Sequence, residues 1–248
     1  IVTSPPSLVP SPAPTNAVPI VINVSTMLTY PSLIGVEYGS YLNENGVFVS
    51  VESRILFTNS SDATNNGTLV LVAGGPTSAT KDGSFANNDA TFKNIGRMKY
   101  DSSSNILFAT SDGSNVIRLL DFSTQTVQTI SDNSGIPISF SSPSSYGVGG
   151  RFPGMDLDLS DSVLYVTDRL NIYNLTHIEG SGITRYVSRQ YTSLSSFRSL
   201  MSWPSNSYVF GLVTVQSQGM IYATVSTGVN VLLKIPMQAS QASDIVVV

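Results

Sequence analysis

Apolar residues fall in short runs along this chain, and the runs return at a regular interval. One strand-like run appears five times, as Ile20-Val-Ile-Asn-Val, Thr68-Leu-Val-Leu-Val, Thr126-Val-Gln-Thr-Ile, Ile183-Thr-Arg-Tyr-Val and Asp244-Ile-Val-Val-Val. Its last four copies start 57 to 61 residues apart. A second run appears four times, as Val47-Phe-Val-Ser, Ile106-Leu-Phe-Ala-Thr, Val163-Leu-Tyr-Val-Thr and Met220-Ile-Tyr-Ala-Thr. A third precedes it: Ile34-Gly-Val-Glu-Tyr, Ile95-Gly-Arg-Met-Lys-Tyr, Met155-Asp-Leu-Asp-Leu and Val209-Phe-Gly-Leu-Val. A fourth follows it: Arg54-Ile-Leu-Phe, Val116-Ile-Arg-Leu-Leu, Asn171-Ile-Tyr-Asn-Leu and Val231-Leu-Leu-Lys-Ile.

The runs are rich in β-branched and aromatic residues, and turn formers separate them, so each reads as a strand. No segment keeps a helical period. Tandem units of four short strands predict an all-β fold of β-propeller-like blades, four of them visible. One blade cannot bury both of its faces, so the blades must stack about an axis. The first run has one copy more than the others, and the sequence stops where a fifth unit would open. Two readings follow: part of a larger propeller, or end strands that share one blade.

Residues 72–130 resemble an NHL repeat. The residues that carry the resemblance are Val72-Ala73-Gly74-Gly75, Lys81-Asp82-Gly83, Ala90-Thr91-Phe92, Asn105-Ile106-Leu107-Phe108, Asp112 with Asn115, and Val116 to Asp121. The third unit keeps Gly150 to Met155, Leu164 to Asp168, and Asn171. The first and fourth keep mainly the apolar skeleton, and Val225 stands where Asp is expected. The resemblance implies a β-propeller, commonly six-bladed, in a family some of whose relatives are lyases or hydrolases with axial metal, His or acidic residues.

Composition narrows the setting. Hydrophobic residues make up 41% of the 248, enough for a core, while charged residues are only 11%. The net charge of −4 gives no basic footprint for nucleic acid. No apolar run reaches membrane-span length. There is no cysteine, which removes disulfides and thiol chemistry. Ile1 is not an initiator methionine, so the sequence is expected to start inside a longer product. Residues 1–19 hold six of the 13 prolines and predict an extended Pro-rich arm or linker ahead of a propeller domain over 20–248. Its Ser-Pro-Pro and Ser-Pro-Ala-Pro steps resemble hydroxyproline-rich surface glycoproteins.

Four Asn-X-Ser/Thr sequons, at Asn23, Asn59, Asn66 and Asn174, are candidate glycosylation sites and point to a secreted or cell-surface location. Candidate chemistry is sparse. His177 is the one histidine and lies in no nucleophile motif. Asp156 and Asp158 share one strand face and are weak candidates for an axial cation. The matching inner-strand positions hold Glu37 and Lys99, with no acid in the fourth unit. Asp82-Gly83 and Asp112-Gly113 read as turns. Arg185, Arg189 and Arg198 form a loose basic group, and Trp203 is expected to seal a blade interface or stack on a sugar.

These features predict a non-enzymatic extracellular structural or adhesive glycoprotein, such as a subunit of a surface filament or wall. Its expected partners are copies of itself, other extracellular proteins and covalent glycans, with no cofactor. The alternative is a recognition propeller for a protein or glycan, and a lyase or hydrolase ranks third.

Overall fold

The computed structural model describes residues 33–59, 69–75, 77–85, 89–111, 114–132, 134–138, 140, 154–158, 163–168, 170–178, 184–193, 198, 201–205, 207–228, 230–237 and 244–248. The Pro-rich arm and the first apolar run at 20–24 lie outside them.

Four antiparallel sheets are arranged as propeller blades. Blade 1 holds β1 (Leu33–Tyr41), β2 (Glu44–Val51), β3 (Arg54–Asn59) and β4 (Val70–Gly74). Blade 2 begins with the short β5 (Gly83–Ser84), followed by β6 (Ile95–Asp101), β7 (Ile106–Ser111), β8 (Val116–Asp121) and β9 (Thr126–Thr129). β5 pairs with β9 at the outer edge. Blade 3 holds β10 (Gly154–Asp158), β11 (Val163–Thr167), β12 (Asn171–His177) and β13 (Tyr186–Ser193). Blade 4 holds β14 (Tyr208–Val215), β15 (Met220–Ser226), β16 (Asn230–Pro236) and β17 (Val246–Val247). No helix among the described residues is long and apolar enough to cross a membrane.

The repeating run expected to open each unit instead closes the one before it, as β4, β9, β13 and β17. Period fixes the spacing of strands but not the phase at which a blade is cut. The last run therefore completes blade 4 by pairing with β16.

Inner strands pack β1 against β6, β6 against β10, and β10 against β14. Apolar side chains fill each interface. Phe48, Ile55, Phe57 and Val72 meet Phe92, Ile95, Leu107 and Leu120 between blades 1 and 2. Ile117, Leu119 and Ile130 meet Leu157, Leu164 and Val166 between blades 2 and 3. Tyr165 and Ile172 meet Ile221, Ala223 and Ile235 between blades 3 and 4, and Trp203 packs there too. Burying such large side chains contributes roughly 1.5–3 kcal/mol each.

The strands are joined by turns with a shared construction. Asp101 accepts from Ser103 N (2.9 Å), Ser103 Oγ (2.7 Å) and Ser104 Oγ (2.6 Å). Asp121 accepts from Ser123 N (2.8 Å) and Thr124 Oγ1 (2.7 Å). Each turn ends on a residue with positive φ, Asn105 at 57° and Gln125 at 55°. Burial acts to raise the Asp101 carboxyl, but its Ser104 and Ser103 hydrogen bonds outweigh that and hold it below the ordinary range.

Candidate functional site at the propeller axis

Each inner strand pairs one residue with the central aromatic of its neighbour. The pairs are Glu37 with Phe48, Lys99 with Phe108, Asp156 with Tyr165, and Val213 with Tyr222. The successive packing of β1, β6, β10 and β14 thus sets positions 37, 99, 156 and 213 at equivalent places on the inner strands. An inner strand is a sheet edge, so its backbone N–H groups need partners from outside the sheet. Carboxylates of the preceding blade supply them. Glu37 Oε1 accepts from Tyr100 N at 3.1 Å, and Asp156 Oδ2 accepts from Thr214 N and, at 2.8 Å, from Thr214 Oγ1.

Lys99 stands between the two acids. Its Nζ lies 2.9 Å from Asp156 Oδ1 and 3.6 Å from Glu37 Oε1. The three side chains differ in access, with Asp156 7% exposed, Glu37 18% and Lys99 32%. Burial raises the Glu37 carboxyl above its ordinary value, against the opposing pull of the Lys99 charge and the Tyr100 N–H. Burial works against the Lys99 ammonium too, yet Asp156 and Glu37 together hold its pKa above the ordinary value. Glu37 Oε2 has no hydrogen-bond partner among the described residues. A carboxyl shifted toward neutrality with a free oxygen, beside a fixed cation, is equipped to exchange a proton with a bound molecule.

Two strand steps along β1 from Glu37, the ring of Tyr100 lies over Gly39, where a Cβ would come within 2.8 Å of it. Beyond that point a cleft of about 670 Å³ opens between blades 1 and 2.

The other residues singled out from the sequence lie apart from this level. Asp158 is buried beside Asp156 on β10, and no group of three metal-ligating side chains exists among the described residues. Asn59 ends β3 and donates to Glu44 Oε2 at 2.6 Å. Asn174 is half-buried in β12, with its Oδ1 buried and unbonded. Asn23 and Asn66 lie outside the described residues. His177 ends β12 and packs edge-on against Tyr186. The three arginines do not form one face. Arg185 binds Ser131 Oγ and Asp132 O, both at 3.0 Å, Arg198 binds Ser207 O, and Arg189 is exposed on β13 opposite Asn174. Asp82 pairs with Arg118.

No protein-family profile matches the chain, and no curated protein sequence does. Solved structures do share its fold. A luciferin-regenerating enzyme aligns with a TM-score of 0.54 at 13% identity, over 85% of this chain and 61% of that one. A streptogramin B lyase aligns at 0.49 and 13% identity, over 87% of this chain and 54% of that one. A nidogen/laminin complex aligns at 0.48 and 11%, over 82% of this chain and 72% of that one. This chain thus spans little more than half the length of the first two. At such identities the likeness concerns the fold alone.

The fold finding corrects the functional expectation. A solved enzyme shares the fold, so neither the exclusion of catalysis nor the label of a structural protein stands. The NHL label, matched by no family profile, is not carried forward either. The expectation failed for a physical reason. It looked for His, Cys or an acid repeated around the axis and found Glu37 and Lys99 at the positions matching Asp156, whereas what the structure adds is that Lys99 bridges the two acids.

Proposed function

We propose that the axial group is an acid–base site and that the chain is a proton-transfer enzyme acting on a carbonyl compound. One observation carries this reading: Glu37 has a carboxyl raised by burial, with no donor to its Oε2 among the described residues, next to the partly exposed side chain of Lys99. The luciferin-regenerating enzyme, built on the same fold, supports catalysis on this architecture without specifying the reaction.

In the proposed reaction Glu37 accepts a proton from the carbon beside the carbonyl. The C–H electron pair forms the enolate C=C bond, and the carbonyl π pair moves onto oxygen. The Lys99 ammonium donates a hydrogen bond to that oxygen, where charge develops. The proton then returns from Glu37, or a leaving group on the next carbon departs with its electron pair. Asp156 and Thr214 act on the placement of Lys99, since Asp156 fixes the ammonium and Thr214 fixes Asp156.

The test is proton NMR in heavy water with a panel of small ketones and esters, following exchange of the proton beside the carbonyl or elimination. Glu37→Gln should slow the reaction by roughly 10²–10⁴-fold, and Lys99→Met should slow it too. A ¹³C NMR titration supplies a check that needs no substrate. If Glu37 titrates as an ordinary exposed carboxylate, or Glu37→Gln turns over as fast as the parent, the reading is wrong.

A further inference from the structure

The cleft between blades 1 and 2 lies next to the axial group, and none of its walls carries a charged side chain. Tyr38, Tyr41, Tyr100 and Phe122 present aromatic surface to it. Tyr38 is 51% exposed, although it sits on an inner strand. Hydrogen-bonding groups surround these rings: Ser40, Asn43, Asn45, Ser102, Asn105 and Gln125. The Tyr100 hydroxyl donates to Asn105 Oδ1 at 2.9 Å, which fixes both side chains.

The rim carries a second signal. The β1–β2 hairpin turns through Leu42 and Asn43, with φ of 52° and 65°. Such two-residue turns favour Asn-Gly. Leucine in the left-handed region is strained, and Leu42 is 67% exposed, so packing offers no compensation. An apolar side chain held in a costly conformation at the mouth of a cleft is a mark of function.

A charged ligand would lose its hydration here without meeting a counter-charge. A purely apolar ligand would strip water from six polar side chains. Flat aromatic faces with amides and hydroxyls around them suit a ring that has C–H surface above and below and hydroxyls at its edge. We propose that this cleft binds a neutral saccharide ring, the part of the substrate that anchors it beside Glu37 and Lys99. As a statement about substrate, this rests on the acid–base reading. As a statement about binding, it stands alone.

The experiment is saturation-transfer NMR and calorimetry with methyl glucoside, methyl galactoside, lactose, maltose and cellobiose, using glucuronate as a charged control. At least one neutral sugar should bind saturably through its ring C–H protons, with glucuronate at least tenfold weaker. Tyr38→Ala alters an exposed ring and should weaken binding at least tenfold while the melting temperature holds. Leu42→Gly should weaken binding while raising the melting temperature, because it relieves the turn. Glu37→Gln should bind sugar normally. If no neutral sugar binds, or both rim variants bind as the parent does, the assignment is overturned. Sugar binding lost with carbonyl exchange intact overturns the cleft alone, and the reverse overturns the acid–base reading alone.

Discussion

Lys99 and Asp156 meet at 2.9 Å across two blades, each at the inner-strand position that pairs with a central aromatic. At the same level Glu37 and Asp156 each cap a backbone N–H of the next blade. Lysine has no acceptor and cannot repeat that contact. It instead places one positive charge between them, 2.9 Å from Asp156 and 3.6 Å from Glu37, which eases the repulsion of two carboxyls at one partly buried level.

Lys99→Met should therefore destabilise the protein. Removing one partner of a fully buried pair costs roughly 3–5 kcal/mol, but Lys99 keeps about a third of its side-chain surface in water, and exposed pairs are worth far less. We expect about 1–3 kcal/mol in urea unfolding at pH 7. A double-mutant cycle with Asp156→Asn should show coupling between the two positions. Additive effects would mean that the contact links nothing.

The strand content, the four-unit repeat and the charged positions 37, 99 and 156 are all legible in the sequence, because strand burial and blade register write a local pattern. Their matching places on the inner strands are legible too, but the bridge that Lys99 makes to both acids is not, since it depends on side-chain reach between blades. Thr214 carries no signal at all, because it matters only through Asp156. The strained Leu42 was equally silent, since a hairpin read from sequence is expected to carry Asn-Gly there. The cut between blades slipped by one strand because a periodic pattern has no marked origin.

The pH dependence of stability should reveal Glu37. Its folded-state pKa lies above its unfolded value because burial disfavours the charge. The native protein then holds a proton that the unfolded chain has released. Stability from this group is fully present below the unfolded pKa and is lost as pH rises through the folded one. Glu37→Gln should flatten that decline above about pH 4.5. Urea midpoints across this range measure it, and an unchanged slope would contradict the assignment.

Gly35 lies where β1 and β6 approach closely. A Cβ there would stand 2.5 Å from Gly96 O and 2.9 Å from Ser50 Oγ. Backbone cannot rotate aside, so Gly35→Ala must part the two inner strands. Overpacking of this kind costs about 1–3 kcal/mol. The separation should also lengthen the bond from Tyr100 N to Glu37, which a ¹⁵N shift of the Tyr100 amide would report. Wild-type stability and an unmoved Tyr100 signal would show that the blades do not meet as described.

Arg118 poses the sharpest question about what holds blade 2 together. Its side chain is fully buried and sits over the Phe92 ring at 5.2 Å. It donates to Thr91 O at 3.0 Å, Lys81 O at 2.9 Å and Asp82 Oδ1 at 2.8 Å. Burial lowers its pKa, against the opposing charge of Asp82. Asp82 is about half exposed, an asparagine there can still accept from Arg118, and the guanidinium keeps its two carbonyl partners, so Asp82→Asn should cost under about 1 kcal/mol. The two carbonyls also accept from each other's residue, Lys81 O from Thr91 N and Thr91 O from Lys81 N, and the guanidinium is a second donor to each. Arg118→Met removes both of these second bonds and the cation–π contact and leaves a poorly filled buried site, for an expected loss of about 2–4 kcal/mol. Arg118→Lys should recover only part of that, because an ammonium cannot reproduce the planar fork. Chemical denaturation of the three variants decides the matter. If Asp82→Asn costs as much as Arg118→Met, the ion pair and not the carbonyl fork holds the loop of Lys81 to Thr91 against the blade.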